Sequence, residues 1–311
     1  MIRDNKIQER RMKMKGFEIA KGTVIGREHR RLARNNQDAS FVTEEDGIII
    51  ATVCDGCSIA LGKDGEGYAP ASEVGSNLIA RLFNKLALEN LAHFSIRRKV
   101  WCNDEALIFD YLESLRIICL EEIMGIASKL GKTPYDALND FFLATIVSVI
   151  ITPEIAFVCM LGDGVAYVNG DRIEVQQYPD NKPPYIIFGA LNSATSKLGE
   201  QYVRFNLLKV LPISELKSVF IASDGADYII RNSEKNYPGK QEKIGDISQF
   251  WENPKFFTNP DLVRRKLALM NSDHSKIDWE LRTVRHETGF LEDDTTLIAI
   301  RKEPEEESAV E

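Results

Sequence analysis

Four aspartates lie where predicted β-strands meet turns, and they are the residues best placed to do chemistry. They are Asp38, Asp55, Asp224 and Asp293. Each is next to a run of β-branched and apolar residues that is typical of a strand. If these strands lie side by side, their ends bring the carboxylates together. Converging carboxylates repel one another unless hard cations neutralise them, and oxygen ligands suit Mg²⁺, Mn²⁺ or Ca²⁺ better than zinc.

Such a cluster could hold two cations bridged by one carboxylate. The cations would activate a water molecule between them and clamp the oxygens of a phosphoryl group. Gly56, directly after Asp55, would let a backbone carbonyl approach an ion without a side-chain clash. The alternative for any single Asp-Gly pair is an ordinary turn whose aspartate bonds its own backbone. The joint pattern of four segments favours the metal site.

Composition excludes several other classes of protein. The 311 residues are 44% hydrophobic and 28% charged, which is typical of a globular chain. A formal net charge of -8 argues against nucleic-acid binding through phosphate neutralisation. Five cysteines are an odd, sparse count that indicates reduced thiols, so we expect a cytoplasmic protein. The longest apolar run, residues 141–152, is too short for a bilayer, and residues 1–16 lack a signal-peptide pattern.

Hydrophobic periodicity predicts how the chain positions the aspartates. Apolar spacing indicates two long amphipathic helices, Ala71 to about Asn90 and Asp104 to Leu130. Residues 143–175 predict an antiparallel meander, because Thr-Pro-Glu, Gly-Asp-Gly and Asn-Gly-Asp interrupt its apolar runs. Residues 27–40 are predicted to be a basic loop that enters a strand.

One domain is predicted for residues 1–303, because no linker or internal repeat divides the chain. It includes a polar lead-in at residues 1–15. The acidic residues 304–311 are predicted to be a disordered tail.

The order of the motifs resembles the protein phosphatase 2C family of metal-dependent serine/threonine phosphatases. The matching stretches are NNQDAS, VCDGCS, ATIVSVI followed by LGDGVAYV, FIASDGA and EDDTTLIAI, spread from Gly22 to Arg301. The spacing of Gly26, His29 and Asp38 is similar to that of the bacterial branch. The resemblance implies an α+β fold, a four-layer αββα sandwich of two antiparallel sheets flanked by helices.

The resemblance also implies roles around a dinuclear Mn²⁺ or Mg²⁺ centre. Asp55 would bridge the two ions, and the carbonyl of Gly56 would ligate one of them. Asp224 and Asp293 would ligate the other ion. Asp38 would hold metal-bound water. All four aspartates are therefore the predicted catalytic set.

Asp163, in LGDG, matches a family position that with Asp224 holds a third, weaker ion in some members. A plain turn aspartate is an equally good interpretation of this residue. The chain also departs from the family pattern best known in eukaryotes. Gln37, Ala33 and Cys57 stand where those members have a glutamate, a phosphate-gripping arginine and a histidine.

Another basic residue must therefore grip the substrate phosphate. The candidates are His29, Arg30, Arg31 and Arg34, of which His29 and Arg34 are the predicted pair. A basic run in a loop is more often solvated surface, and the sequence does not choose among them.

These observations predict a metal-dependent protein serine/threonine phosphatase that uses a metal-bridged hydroxide. Its substrates would be phosphoserine and phosphothreonine proteins in signalling with a cognate kinase, and it would act as a monomer without nucleic acid or membrane. Cys57 and the missing arginine motivate an alternative, a catalytically silent domain that binds a phosphoprotein or regulatory partner. A structural Ca²⁺ site is a third interpretation, which no EF-hand-like loop supports. Whether residues 228–286 form a recognition flap stays open.

Overall fold

The structure is a computed structural model. It describes residues 16–61, 66–97, 104–130, 133–176, 178, 182–191 and 203–303. The predicted polar lead-in at residues 1–15 and the predicted acidic tail at residues 304–311 lie outside the described residues.

Two five-stranded antiparallel sheets form the centre of the fold. The strands of the first sheet are β1 Phe17–Val24, β8 Val165–Val168, β9 Asp171–Arg172, β11 Ser218–Ala222 and β14 Thr295–Lys302. Their spatial order is β1-β14-β11-β8-β9. The strands of the second sheet are β2 Ala39–Glu45, β3 Ile48–Cys54, β6 Ile146–Ile151, β7 Ile155–Leu161 and β10 Asn206–Pro212. Their order is β10-β7-β6-β3-β2.

Two small hairpins and a set of helices complete the described elements. The hairpins are β4 Ala60–Leu61 with β5 Gly67–Tyr68, and β12 His274–Asp278 with β13 Thr283–Glu287. The α-helices are α1 Arg27–Arg31, α2 Ser72–Arg97, α3 Glu105–Ala127, α4 Pro134–Phe141, α5 Ala226–Arg231, α6 Gln249–Glu252, α7 Lys255–Thr258 and α8 Leu262–Met270. Within the described part of the chain, none of these helices combines the length and the apolar composition that crossing a bilayer requires.

Strand alternation explains how the layers stack. In β3, Ile49 and Val53 are buried against the other sheet, while Ile50 is buried beneath α2 and α3. In β14, Ile298 is buried between the sheets, while Leu297 packs beneath the helices that cover the first sheet. Because successive side chains of a strand point to opposite faces, both faces of each sheet are apolar and covered. The predicted four-layer αββα sandwich is confirmed.

Both predicted long helices are present. The helix α2 continues seven residues beyond the predicted end at Asn90. The helix α3 begins where predicted, because the Asp104 side chain accepts hydrogen bonds from the backbone amides of Ala106 and Leu107. Its buried face repeats at helical spacing and includes Tyr111 and Leu115.

One predicted loop is wrong in part, because residues 27–40 begin with the helix α1. No apolar periodicity marks this helix in the sequence. The backbone amides of Arg27 and Glu28 donate to the carbonyl oxygens of Leu291 and Glu292, at 2.8 and 3.1 Å. Tertiary bonds to the segment before Asp293 therefore satisfy the first turn of α1.

Candidate metal centre

Strand pairing brings the predicted aspartates to one end of the sandwich. The first residue of β2 pairs with the last residue of β3, so Asp38 and Asp55 share one sheet edge. The last residue of β11 pairs with the third residue of β14, so Asp224 and Asp293 share the corresponding edge of the other sheet. The two edges meet, because the hydroxyl of Ser223, the residue before Asp224, donates a 2.7 Å hydrogen bond to Oδ2 of Asp38.

Asp163 joins the cluster from the turn between β7 and β8. Gly162 and Gly164 flank it with φ angles of +104° and +145°, which residues that carry a Cβ atom rarely adopt. A Cβ atom on Gly164 would lie 2.8 Å from the carbonyl oxygen of Ala222, the last residue of β11. This close approach places Asp163 beside Asp224.

Gly225 allows the loops of Asp224 and Asp293 to pack against each other. A Cβ atom on Gly225 would lie only 2.0 Å from the carbonyl oxygen of Asp294. The backbone that follows Asp224 therefore packs directly on the backbone that follows Asp293. Any side chain at this position would push the two carboxylates apart.

The cluster of five aspartates is electrostatically strained without a counter-charge. Burial and then the charge of Asp38 raise the pKa of Asp55 well above its ordinary value, and Asp224, Asp293 and Asp163 add to the effect. Burial and then Asp293 raise the pKa of Asp224 to about 6. Burial and then Asp224 raise the pKa of Asp163 to about 7. Either bound protons or a cation must offset this repulsion.

Two buried carboxylate oxygens of the cluster have no hydrogen-bond donor in the described part of the chain and are free to ligate a cation. Asp38 is 4% exposed, and its Oδ2 accepts a 2.7 Å hydrogen bond from the Ser223 hydroxyl. Its Oδ1 and the Oδ1 of Asp224 are buried and have no hydrogen-bond partner among the described residues. Buried polar atoms are ordinarily paired, so these oxygens point to a missing ligand. An all-oxygen set of this kind fits Mn²⁺ or Mg²⁺.

The carbonyl of Gly56 is also available. The backbone amide of Thr145 donates to the carbonyl of Asp55, and the amide of Cys57 donates to the carbonyl of Leu143. These two bonds bracket Gly56 and leave its own carbonyl outside the ladder. The predicted carbonyl ligand is therefore not taken by the sheet.

His29 lies in a buried network beside the cluster. Its Nδ1 is 2.9 Å from Oδ2 of Asp294, and its Nε2 is 2.9 Å from the Ser58 hydroxyl. Asp294 also accepts hydrogen bonds from the backbone amides of Gly26 and Gln37, at 2.6 and 2.5 Å. The close ion-pair contact with Asp294 raises the pKa of His29, and burial opposes this rise. Since both ring nitrogens have partners, a phosphate contact by His29 stays a prediction that its position does not favour.

The same network brings ligand-type atoms of His29, Asp293 and Asp294 within 4.8 Å of one another. Asp294 is 2% exposed and its oxygens already serve two backbone amides and His29. A cation at this position would have to break the ion pair. The network therefore fits the role of a support that orients Asp293.

The basic residues of the first loop have different surroundings. Arg30 donates to the carbonyl of Asn271 at 2.8 Å, and Arg31 pairs with an acidic residue of its own helix. Arg34 is partly buried and donates to the carbonyl of Ser58 at 3.2 Å. Of the three, Arg34 contacts the segment that follows the Asp-Gly turn. Its role toward phosphate stays a prediction.

Two further residues of the site were not predicted. Tyr185 lies beside Cys57, because burial and then the interaction with Cys57 raise the pKa of Tyr185. Asp55 and Asp163 contribute to the same shift, so Tyr185 borders the cluster. Ser223 was missed as the partner of Asp38. Its position before an Asp-Gly turn could have suggested it, whereas no sequence signal identifies Tyr185.

Comparison with known families agrees with the geometry. The sequence profile described as Protein phosphatase 2C matches residues 25–264. The chain belongs to the protein phosphatase 2C family. The matched range includes Asp38, Asp55, Asp163 and Asp224, whereas Asp293 lies beyond it. No curated protein sequence matches the chain significantly.

Solved structures similar to this phosphatase 2C chain are distant relatives. The serine/threonine phosphatase Stp1 from Staphylococcus aureus is 15% identical, with a TM-score of 0.45 over 96% of this chain and 100% of that one. A sex-determining protein of C. elegans is 12% identical, with a TM-score of 0.47 over 93% of this chain and 65% of that one. The catalytic domain of the phosphatase PstP, described in complex with two manganese ions, is 15% identical, with a TM-score of 0.42 over 92% of this chain and 98% of that one.

Proposed function

We propose that the chain is a metal-dependent phosphatase that removes phosphate from phosphoserine or phosphothreonine in proteins. The observation that carries this proposal is the convergence of Asp38, Asp55, Asp163, Asp224 and Asp293 from separate segments, with two buried oxygens unpaired. Family membership agrees with the reaction class. Burying five mutually repelling carboxylates is energetically costly, and bound cations would offset that cost.

Residues of the chain would divide the work as follows. Asp55 and the Gly56 carbonyl would hold one ion, while Asp224 and Asp293 would hold the second. Bound Mn²⁺ or Mg²⁺ would acidify the attacking water and offset charge on the phosphoryl oxygens. Asp38, fixed by Ser223, would orient a water molecule through its free Oδ1. Asp163 with Asp224 would take a third ion more weakly.

Hydrolysis of a small aryl phosphate tests the proposal. Phosphate release should require Mn²⁺ or Mg²⁺, and Asp55→Asn and Asp224→Asn should each lower kcat/KM on the order of 100-fold or more, because each loses a charge that faces the reacting group. Asp110→Asn is the matched control, since Asp110 is an exposed aspartate of α3. Undiminished release by both site variants, or release that persists in a chelator, would contradict the proposal.

A catalytically silent phosphatase-like domain is the second candidate. Cys57 replaces a histidine that many family members carry, and both ring nitrogens of His29 are engaged. A silent domain would bind Mn²⁺ in calorimetry but turn over neither aryl phosphate nor any phosphopeptide. Turnover above the rate of the Asp55→Asn variant rejects this candidate.

Partners and location follow from the proposed reaction. Phosphoproteins would be the substrates, and a serine/threonine kinase would supply them. The predicted monomeric state, cytoplasmic location and signalling role stay predictions.

A further inference from the structure

A cleft leads away from the aspartate cluster along the helix α5. A cavity of about 230 Å³ has Asp163 and Asp224 in its wall. A second cavity, of about 500 Å³, adjoins it, and Tyr228 and Arg231 of α5 line both. A substrate whose phosphate sits at the cluster could therefore extend along α5 without leaving the cleft.

Three basic residues, Arg172, Arg231 and Lys235, line the lip of this cleft. Arg172 of β9 and Arg231 of α5 both face Asp227, at 2.7 and 3.5 Å. Lys235, in the wall of the larger cavity, is exposed and has no acidic partner among the described residues. Arg172 and Arg231 therefore share a single carboxylate, and Lys235 lines the larger cavity together with Arg231, in a chain whose formal net charge is -8. The two arginines are 46% and 72% exposed and can reach a ligand.

Other charged residues of the larger cavity are already satisfied. Arg27 pairs with Glu292 at 3.1 Å and with Glu28 at 3.0 Å, and its side chain is only 16% exposed. Glu287 accepts a hydrogen bond from the backbone amide of Gly239 at 2.7 Å. Of the basic residues in the two walls, Arg172, Arg231 and Lys235 are therefore the ones left to contact an incoming chain.

The length of α5 sets how many peptide residues separate a phosphate at the aspartate cluster from Arg231. The six residues from Ala226 to Arg231 rise about 9 Å along the helix axis. An extended peptide advances about 3.3 Å per residue. A side chain two to three positions from the phosphorylated residue would then reach Arg231.

We propose that the lip formed by Arg172, Arg231 and Lys235 is a specificity subsite for an acidic side chain two to three positions from the phosphorylated residue. The ligand group is a carboxylate or a second phosphoryl group. This inference rests on the proposed function, because the aspartate cluster fixes the position of the scissile phosphate. Because exposed charge pairs are weak and two of the cations already share Asp227, the subsite should give roughly 3- to 10-fold selectivity.

Paired phosphopeptides test the subsite in the Mn²⁺-loaded full-length protein. The peptides differ only at the second and third positions on either side of phosphothreonine, which hold Glu, Gln or Lys. The wild type should show a kcat/KM roughly 3- to 10-fold higher for the Glu peptide than for the Gln peptide, and lowest for the Lys peptide. This preference should shrink in high salt, because exposed charges are screened.

Variants of the lip assign the preference to its residues. Arg231→Gln should reduce the Glu-to-Gln selectivity ratio to about 2-fold or less, and Arg231→Glu should invert it. The ratio cancels any general loss of activity. Lys129→Glu, a reversal at an exposed lysine just after α3, is the control and should keep the wild-type ratio.

The outcomes separate this inference from the proposed function. A ratio near one in the wild type, or a wild-type ratio retained in Arg231→Glu, overturns the subsite while leaving the phosphatase intact. If no substrate is turned over, anisotropy with the same labelled phosphopeptides decides. If the wild type binds the Glu peptide preferentially and Arg231→Glu abolishes that preference, the subsite is supported and the phosphatase function is rejected. If the peptides bind without preference, both the subsite and the phosphatase function are rejected.

Discussion

Raising the pH of the metal-free protein from about 5 to about 8 is expected to lower its stability. Asp163 and Asp224 have pKa values of about 7 and about 6 in the folded protein, against 3.8 ordinarily. Below the ordinary value both carboxyls are protonated in both states, so their full stabilisation is present. Between the two values only the folded state keeps its protons, and stability falls as the pH rises through the folded-state pKa.

The structure sets the size of this effect. Between about pH 5 and 8 the loss from Asp224 is about 1.4 kcal/mol, at 1.36 kcal/mol for each pKa unit, because its folded-state pKa of about 6 lies one unit above the lower limit. Asp163, with a folded-state pKa of about 7, adds less than about 2.7 kcal/mol, because part of its shift is the repulsion by Asp224. For a chain of this size, a total of about 3 kcal/mol corresponds to a fall in Tm of about 5 °C.

Thermal unfolding in a chelator, repeated across this pH range, measures the effect. Asp163→Asn should flatten the dependence of Tm on pH, and the exposed control Asp110→Asn should leave it unchanged. Added Mn²⁺ should raise Tm more at the alkaline end, because protons no longer compete for the carboxylates. A Tm that rises between about pH 5 and 8 without metal, or an unchanged slope in Asp163→Asn, would refute the reasoning.

Three substitutions test the supports of the site and core by urea unfolding. His29→Ala should lower the free energy of unfolding by about 3 kcal/mol or more, since it leaves the buried Asp294 without its ion-pair partner. A decrease below about 1 kcal/mol would argue against the ion pair. Gly75→Ala should lower the free energy of unfolding by about 2 kcal/mol or more, because the added Cβ would lie 1.6 Å from the carbonyl oxygen of Phe141. An unchanged urea midpoint would contradict the close contact between α2 and α4. Tyr111→Phe should lower the free energy of unfolding by about 1 kcal/mol, because it removes the buried hydrogen bond that the hydroxyl donates to the carbonyl of Ala87, and a neutral result would contradict a contribution from this bond.

Much of the fold could be predicted because its elements carry strong local patterns. The helix α3 has both an apolar repeat and a capping aspartate, Asp104, at its start. The strands β6, β7 and β8 are separated by turn residues that interrupt long apolar runs. These signals lie within a few residues of the elements that they predict.

Elements held by distant contacts could not be predicted. The helix α1 depends on bonds to Leu291 and Glu292, far along the chain. The hairpin of β12 and β13 was also missed, because nearly all of its residues are exposed and its sequence, HSKIDWELRTVRHE, shows no buried face. The apolar residues Ile277, Trp279 and Leu281 do alternate with acidic residues, but they are exposed and no buried face confirms the pattern.

The candidate site shows the same division. The positions of Asp38, Asp55, Asp224 and Asp293 at strand ends could be predicted, because each follows or precedes an apolar run. Their convergence required the pairing of β2 with β3 and of β11 with β14, which the structure supplies. The network of Asp294 with His29 could not be predicted, because it depends on where loops meet rather than on strand pattern.

Anomalous scattering from crystals soaked in Mn²⁺ tests the central claim most directly. Two strong peaks are predicted, one beside Asp55 and the Gly56 carbonyl and one between Asp224 and Asp293, with a weaker third peak at Asp163. Peaks confined to the group of His29, Asp293 and Asp294, or no ordered ion at the aspartate cluster, would contradict the account.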